Sequence, residues 1–232
     1  MNNFTEKFKA MLLSLGADLV GIGDLAMVPA QDRKDLPIGI SVAIAYQPQD
    51  ILGIGQGPTE EYYKAYVNIN DKLDAIITKG ADYLQREGYA AIAQTIEEVA
   101  KVETNYDSVL PHKTVATRAG IGWIGKCAVL VTTQYGSAIR ISTILTNAPL
   151  LEDSPINESN CGGCTKCVKE CPAGAVQGRN WSVQSNREEL LDPVKCRKTA
   201  RDLSQKRIDR EISLCGKCIL VCPYTQKYLT GN

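Results

Sequence analysis

The chain has 232 residues, 44% of them hydrophobic, enough for one medium domain and one smaller one, each with a core. Its 26 basic and 26 acidic side chains cancel to a formal net charge of zero, so nothing overall pulls it toward a nucleic-acid backbone or an anionic membrane. No stretch approaches the roughly 18 apolar residues of a membrane span, and "MNNFTEKFKAMLLSLGADLVGIG" has no signal-peptide layout, so a cytoplasmic protein is expected.

Residues 3–15 carry Phe4, Phe8, Met11, Leu12 and Leu15 at helical spacing and stop at Gly16, which predicts a helix. "ADLVGIG" then reads as a short strand and "IGISVAIAY" (38–46) as a buried one, rich in small and β-branched residues. "GIGQGP" (53–58) is a loop. From Thr59 a long helix is expected, with Tyr62, Tyr66, Ile69, Leu73, Ile76, Ile77 and Leu84 on one stripe. "YAAIAQ" (89–94) reads as a further strand and "HKTVATRAG" as a short helix closed by Gly120. "KCAVLVTTQYGSAIRISTILTN" predicts two strands around a turn at Tyr135–Gly136. The polar, proline-containing stretch 147–160 is the expected boundary. The first part is thus α+β or α/β with helices covering a sheet, and the second is a cysteine-rich module.

Eight of the nine cysteines fall between Cys161 and Cys222, most in CxxC groups, and without an export signal such clusters read as metal sites rather than disulfides. "CGGCTKCVKECP" matches the CxxCxxCxxxCP run of two-cluster ferredoxins, whose fourth cysteine serves the other cluster. Cys215, Cys218 and Cys222–Pro223 form the partner group, and Cys196 can supply its missing ligand. This assigns one [4Fe–4S] cluster to Cys161, Cys164, Cys167 and Cys222, and the other to Cys171, Cys196, Cys215 and Cys218. A pair of four-cysteine zinc sites is the competing reading. Cys127, alone upstream, reads as a buried apolar thiol, with a ligand or nucleophile as the alternative. The segment "KCRKTARDLSQKRIDR" holds seven basic and two acidic residues: a solvated helix balancing anionic clusters, or a docking face for an acidic electron donor.

Upstream, "GIGWIGK" resembles a phosphate loop superficially but fits neither Walker A nor a GxGxxG placed between strand and helix. Gly120, Gly122 and Gly125 instead allow close backbone approach to a flat cofactor, and Trp123 offers an apolar face.

"TRAGIGWIGK", the strands after it, the acidic proline-containing linker and the two-cluster module with its stray upstream cysteine together resemble the epoxyqueuosine reductases. These are cobalamin-dependent tRNA-modifying enzymes related to reductive dehalogenases. The resemblance covers most of the chain and is strongest from 110 to 224. It implies an α+β fold, with a nitroreductase-like cofactor domain at 1–150 and a two-cluster ferredoxin-like module at 151–232. It further implies base-off cobalamin beside the nearer cluster, reduced through the clusters by a low-potential donor of ferredoxin or flavodoxin type. Arg118 and Lys126 are then candidates to meet the corrinoid's amide or phosphate groups. The family's acid is an aspartate ahead of "RAG", and Asp107 falls about one residue out of register with it. Asp107 and His112, the one histidine, are the candidate proton donors, with Tyr106 and Tyr46 behind them. The length is that of a short form without the family's C-terminal helical-repeat domain, which contributes to tRNA binding. With zero net charge, this argues for a small-molecule or unidentified substrate rather than tRNA. The alternative is an electron-transfer or corrinoid-reducing protein with no substrate of its own.

Overall fold

In a computed structural model, which describes residues 2–100 and 108–231, the predicted N-terminal helix is α1 (Asn2–Ser14). It buries Phe8 and Leu12 completely and ends at Gly16, whose φ of +106° breaks the helical path. β1 (Leu19–Asp24) and β2 (Ile38–Ala45) form an antiparallel pair, with Leu19 opposite Ala43 and Asp24 opposite Ile38. Every residue of β2 is buried, which accounts for its unalternating apolar composition.

α2 (Pro48–Leu52) is a short helix opened by a capping box between Gln47 and Asp50. α3 (Glu60–Arg86) is the long helix, begun by Thr59, whose hydroxyl accepts from Tyr62 N at 3.2 Å. Its buried stripe includes Tyr62, Ile69, Leu73, Ile76, Ile77 and Leu84. Then come β3 (Ala91–Gln94), α4 (Ile96–Ala100), α5 (His112–Arg118), β4 (Trp123–Ile124), β5 (Leu130–Val131) and β6 (Ile139–Thr146). The cysteine-rich part holds α6 (Lys166–Lys169), α7 (Pro193–Ile208), α8 (Lys217–Leu220) and α9 (Pro223–Thr230). Among the described residues no helix is long and apolar enough to cross a membrane.

Packing divides the chain into two compact units. The first consists of Met1–Ile44, Ile69–Gly122 and Arg140–Ile156, and the second of Ala45–Asn68, Trp123–Ile139 and Asn157–Asn232. The first unit is built on a four-stranded sheet of order β1–β2–β6–β3, in which β3 runs antiparallel to β6 with Ala91 opposite Thr146. The end of α5 rests directly on β1. A Cβ at Gly21 would lie 2.2 Å from Ala119 O, and one at Gly23 would lie 2.5 Å from the Arg118 carbonyl carbon. Only glycine permits that approach. Leu25, Leu36, Val115 and Leu145 form an apolar cluster in this unit, with Val28, Ile92 and Leu110 packed on it. The polar stretch after β6 is strapped down by Asp153, whose carboxylate accepts from Ile22 N at 2.8 Å and pairs with Lys9 at 2.7 Å.

In the second unit the cysteine segments are packed by residues from far upstream. Trp123 meets Tyr224 edge-on at 4.9 Å, Tyr228 donates to Tyr46 O at 2.8 Å, and Lys217 donates to Gly55 O at 2.9 Å. Arg207 donates to Pro58 O at 3.2 Å. Ser137 N donates to the Thr225 hydroxyl at 2.9 Å, where the Gly136 turn touches α9.

The expected strand pair around Tyr135–Gly136 is only half realised. The turn is present, with Thr132 and Gly136 bonded across it, but β5 pairs with β4 over a tight turn at Gly125–Ala128, and β6 joins the four-stranded sheet. Apolar alternation marks both segments as strands and says nothing of which partner each takes.

Candidate functional site

The run "CGGCTKCVKECP" folds as a turn followed by one helical turn. Cys164 N donates to Cys161 O at 3.1 Å, Gly162 takes a φ of +52°, and α6 then carries Cys167. Cys161, Cys164, Cys167 and Cys222 border one cavity, together with Cys127, Cys218, Lys126 and Tyr224. Cys222 arrives from the far end of the chain because Pro223 starts α9 and fixes Cys222 as its N-cap. Burial pushes the Cys222 thiol up, opposed by the N–H groups of Thr225 and Tyr224, which favour the thiolate.

Lys126 is the charged member of this wall. Its side chain is buried, at 5% residue exposure, and its ammonium donates to Gly162 O at 2.8 Å, inside the loop between Cys161 and Cys164. No carboxylate among the described residues pairs with it. A buried cation without an anion is costly, so the cavity suits an anionic occupant, as a thiolate-ligated iron–sulfur cluster is.

Cys171 and Cys215 border a second cavity with Lys169, Glu170 and Lys217. The Cys171 sulfur accepts from Ala175 N at 3.4 Å. Cys196 stands in the first turn of α7, behind Asp192, whose carboxylate accepts from Lys195 N at 3.0 Å. Burial pushes the Cys196 thiol up, and the charges of Cys171 and Cys215 add to it, so the three sulfurs lie within mutual electrostatic reach. Cys218, expected with this second group, borders the first cavity and lies within hydrogen-bond reach of Cys127. Cys127 itself is 6% exposed. The Cys167 hydrogen bond favours its thiolate, but Cys218 and burial outweigh it and push the thiol well up. Its burial fits the reading of a packing thiol.

The candidate cofactor-binding residues are held as follows. Arg118 is buried at the end of α5, its guanidinium lowered by burial and donating to Ile156 O at 2.7 Å. Gly120, at φ +67°, packs against Ser154 O, 2.7 Å from where a Cβ would stand, and Gly122 is buried. Gly125 packs against Val131, and Lys126 faces the first cavity. Trp123 is 1% exposed, and its indole N–H has no partner among the described residues, so it retains a free donor. His112 begins α5 behind Pro111, its Nδ1 2.9 Å from the Thr143 hydroxyl. Burial, and then Arg140, pull its pKa down to about 4, leaving a neutral imidazole at pH 7. Asp107 and Tyr106 lie outside the described residues. Tyr46 is wholly buried against Tyr62, ring centroids 5.2 Å apart.

Sequence spacing found the cysteines. It did not connect Lys126 with them, because the Lys126–Gly162 bond spans 36 positions and leaves no local pattern.

Residues 160–225 match a family model described as a 4Fe-4S double cluster binding domain. The epoxyqueuosine reductase of Listeria monocytogenes is 35% identical over 190 residues, which is 78% of this chain and 49% of that protein. A solved epoxyqueuosine reductase with an epoxyqueuosine-modified tRNA-Tyr stem loop superposes over 97% of this chain and 66% of its own, with a TM-score of 0.61 and 20% identity. A reductive dehalogenase, whose structure suggests a mechanism for B12-dependent dehalogenation, superposes over 96% and 32%, with a TM-score of 0.67 and 20% identity. At such identity these two structures establish a shared mixed α/β fold. The chain spans about half the length of the curated relatives it matches. Over 78% of its length the chain is thus similar to an epoxyqueuosine reductase, and its residues 160–225 match a 4Fe-4S double cluster binding domain.

Proposed function

We propose that this chain is an iron–sulfur reductase of the epoxyqueuosine reductase type, carrying two [4Fe–4S] clusters and a corrinoid. The observation that carries the reading is the cavity lined by Cys161, Cys164, Cys167 and Cys222, with Cys218 and Cys127 beside them and the buried ammonium of Lys126 in its wall. The second cluster belongs to Cys171, Cys196 and Cys215, with Cys218 as the fourth ligand that the ferredoxin spacing supplies. The proposed division of labour places a nitroreductase-like cofactor part at 1–150 and the cluster part at 151–232.

When bound, the clusters supply one-electron transfer at low potential and the corrinoid supplies a strongly reducing centre. The chain's own residues hold and tune. Eight thiolates fix the clusters, and N–H groups from Tyr224, Thr225 and Ala175 draw charge from the sulfurs of Cys222 and Cys171. Trp123 offers a free N–H beside the glycine-rich stretch. The neutral His112 orients by hydrogen bonding rather than by charge, which leaves Asp107 as the proposed proton donor.

Anaerobic reconstitution with iron and sulfide should give about eight irons per chain, and Cys222→Ala should lose about half. Cobalamin titrated into the reconstituted protein should change its visible spectrum at micromolar concentration; an unchanged spectrum sinks the corrinoid part. A second reading, an electron carrier without its own substrate, draws on Arg118 and Lys126, which both donate to the chain's own carbonyls. Turnover of an epoxyqueuosine-bearing tRNA stem loop by the loaded protein would exclude it.

A further inference from the structure

We infer that Lys126 is the fixed counter-charge of the cluster held by Cys161, Cys164, Cys167 and Cys222, and that it makes this cluster the more easily reduced of the two. The inference rests on the two-cluster reading and goes beyond it by assigning an order to the relay.

Three features of Lys126 carry it. The side chain is buried, it lines the cavity that the four thiols share with Cys218, and its ammonium donates to a neutral carbonyl between two of those thiols, Gly162 O, at 2.8 Å. Its charge is therefore not cancelled by a carboxylate among the described residues. The second cavity differs in kind. Lys217 there pairs with Glu170 at 3.4 Å and donates to Gly55 O, and Lys169 is exposed to water. A paired or hydrated cation is screened, whereas a buried unpaired one acts at close to full strength.

Reduction adds one electron to a group that is already anionic. No bond is made or broken, and a low-potential donor of ferredoxin or flavodoxin type is oxidised by that one electron. A cation in the wall of the same cavity stabilises the reduced form more than the oxidised one. An electron entering at the Cys171, Cys196, Cys215 and Cys218 cluster is then drawn toward the Lys126 side.

The test is an anaerobic, EPR-monitored redox titration of the full reconstituted chain, with iron counted in each sample. Lys126→Gln keeps a donor for Gly162 O and removes the charge; Lys126→Arg keeps both. The glutamine variant should make one cluster at least tenfold harder to reduce, 59 mV for one electron, and leave the other unmoved. The arginine variant should track the wild type. If the glutamine variant sheds half its iron while the arginine variant retains it, the charge is needed to hold that cluster and the inference stands. Unchanged potentials in Lys126→Gln, equal shifts of both clusters, or an arginine variant that behaves like glutamine overturn it. Two clusters present in the wild type sustain the two-cluster reading whatever the potentials do. Their absence there removes both.

Discussion

His112 is the one histidine in the chain, so its ring resonances can be followed without assignment by mutation. Burial of the imidazole, reinforced by Arg140, pulls its pKa to about 4, against an ordinary value of 6.5. Between those values the unfolded chain binds a proton that the folded chain refuses, so stability falls as pH falls from 6.5 toward 4. By pH 5 the loss is about 2 kcal/mol at full effect. An NMR titration should show the ring still neutral at pH 5. Urea unfolding at pH 7 and pH 5 should show a larger loss for the wild type than for His112→Gln, and equal losses would refute the lowered pKa. At this scale the sequence was informative where chemistry lies in spacing and silent where it lies in surroundings. The cysteine runs announce thiolate sites by their intervals alone. Nothing in "LPHKT" tells that its histidine sits against Thr143, 31 positions on, where burial and then Arg140 keep it neutral.

Among the elements, α9 is the one whose placement decides a candidate ligand, since its N-cap is Cys222. It is positioned from upstream by the turn at Gly136. A Cβ there would lie 2.1 Å from Thr225 N and 2.5 Å from Thr225 Cα, and the residue's φ of +57° already disfavours a side chain. Gly136→Ala should therefore cost roughly 2–4 kcal/mol, from left-handed strain and overpacking together, and should speed iron loss on dilution into chelator. Gly174→Ala is the control. It shares a φ of +56° with nothing within 4 Å, so only strain of about 1–2 kcal/mol is expected. Equal costs for the two would mean that the contact with α9 is unimportant. The longer elements were legible because a stripe of apolar residues repeats over many turns, as in α3, or runs unbroken, as in β2. The short ones were not. α2 and α4 have five residues each, too few for a period to show, and β4 and β5 have two each.

At the scale of the molecule, eight of the nine cysteines occupy the last third of the sequence, while the unit that contains them is assembled from three separate stretches. Ala45–Asn68 contributes Gly55 O and Pro58 O, which accept from Lys217 and Arg207. Trp123–Ile139 contributes Lys126 on Gly162 O, Trp123 against Tyr224 and Ser137 N on Thr225. These contacts are long-range, and no composition shift or spacing forecasts them, whereas the ferredoxin-like intervals between cysteines can be read in any window of the chain. A segment of residues 157–232 produced alone would keep all eight candidate ligands and lose every one of these supports. Small cluster domains have little core of their own, and the segment would also lose the buried cation facing its first cavity. Reconstituted in parallel, the segment should hold less iron per chain than the whole protein and should bleach several-fold faster in air near 400 nm. The Cys222 cluster should go first, because α9 would no longer be pinned by Ser137 and Trp123. A segment that retains both clusters as long as the whole chain does would show that the upstream stretches are accessory to the cluster fold.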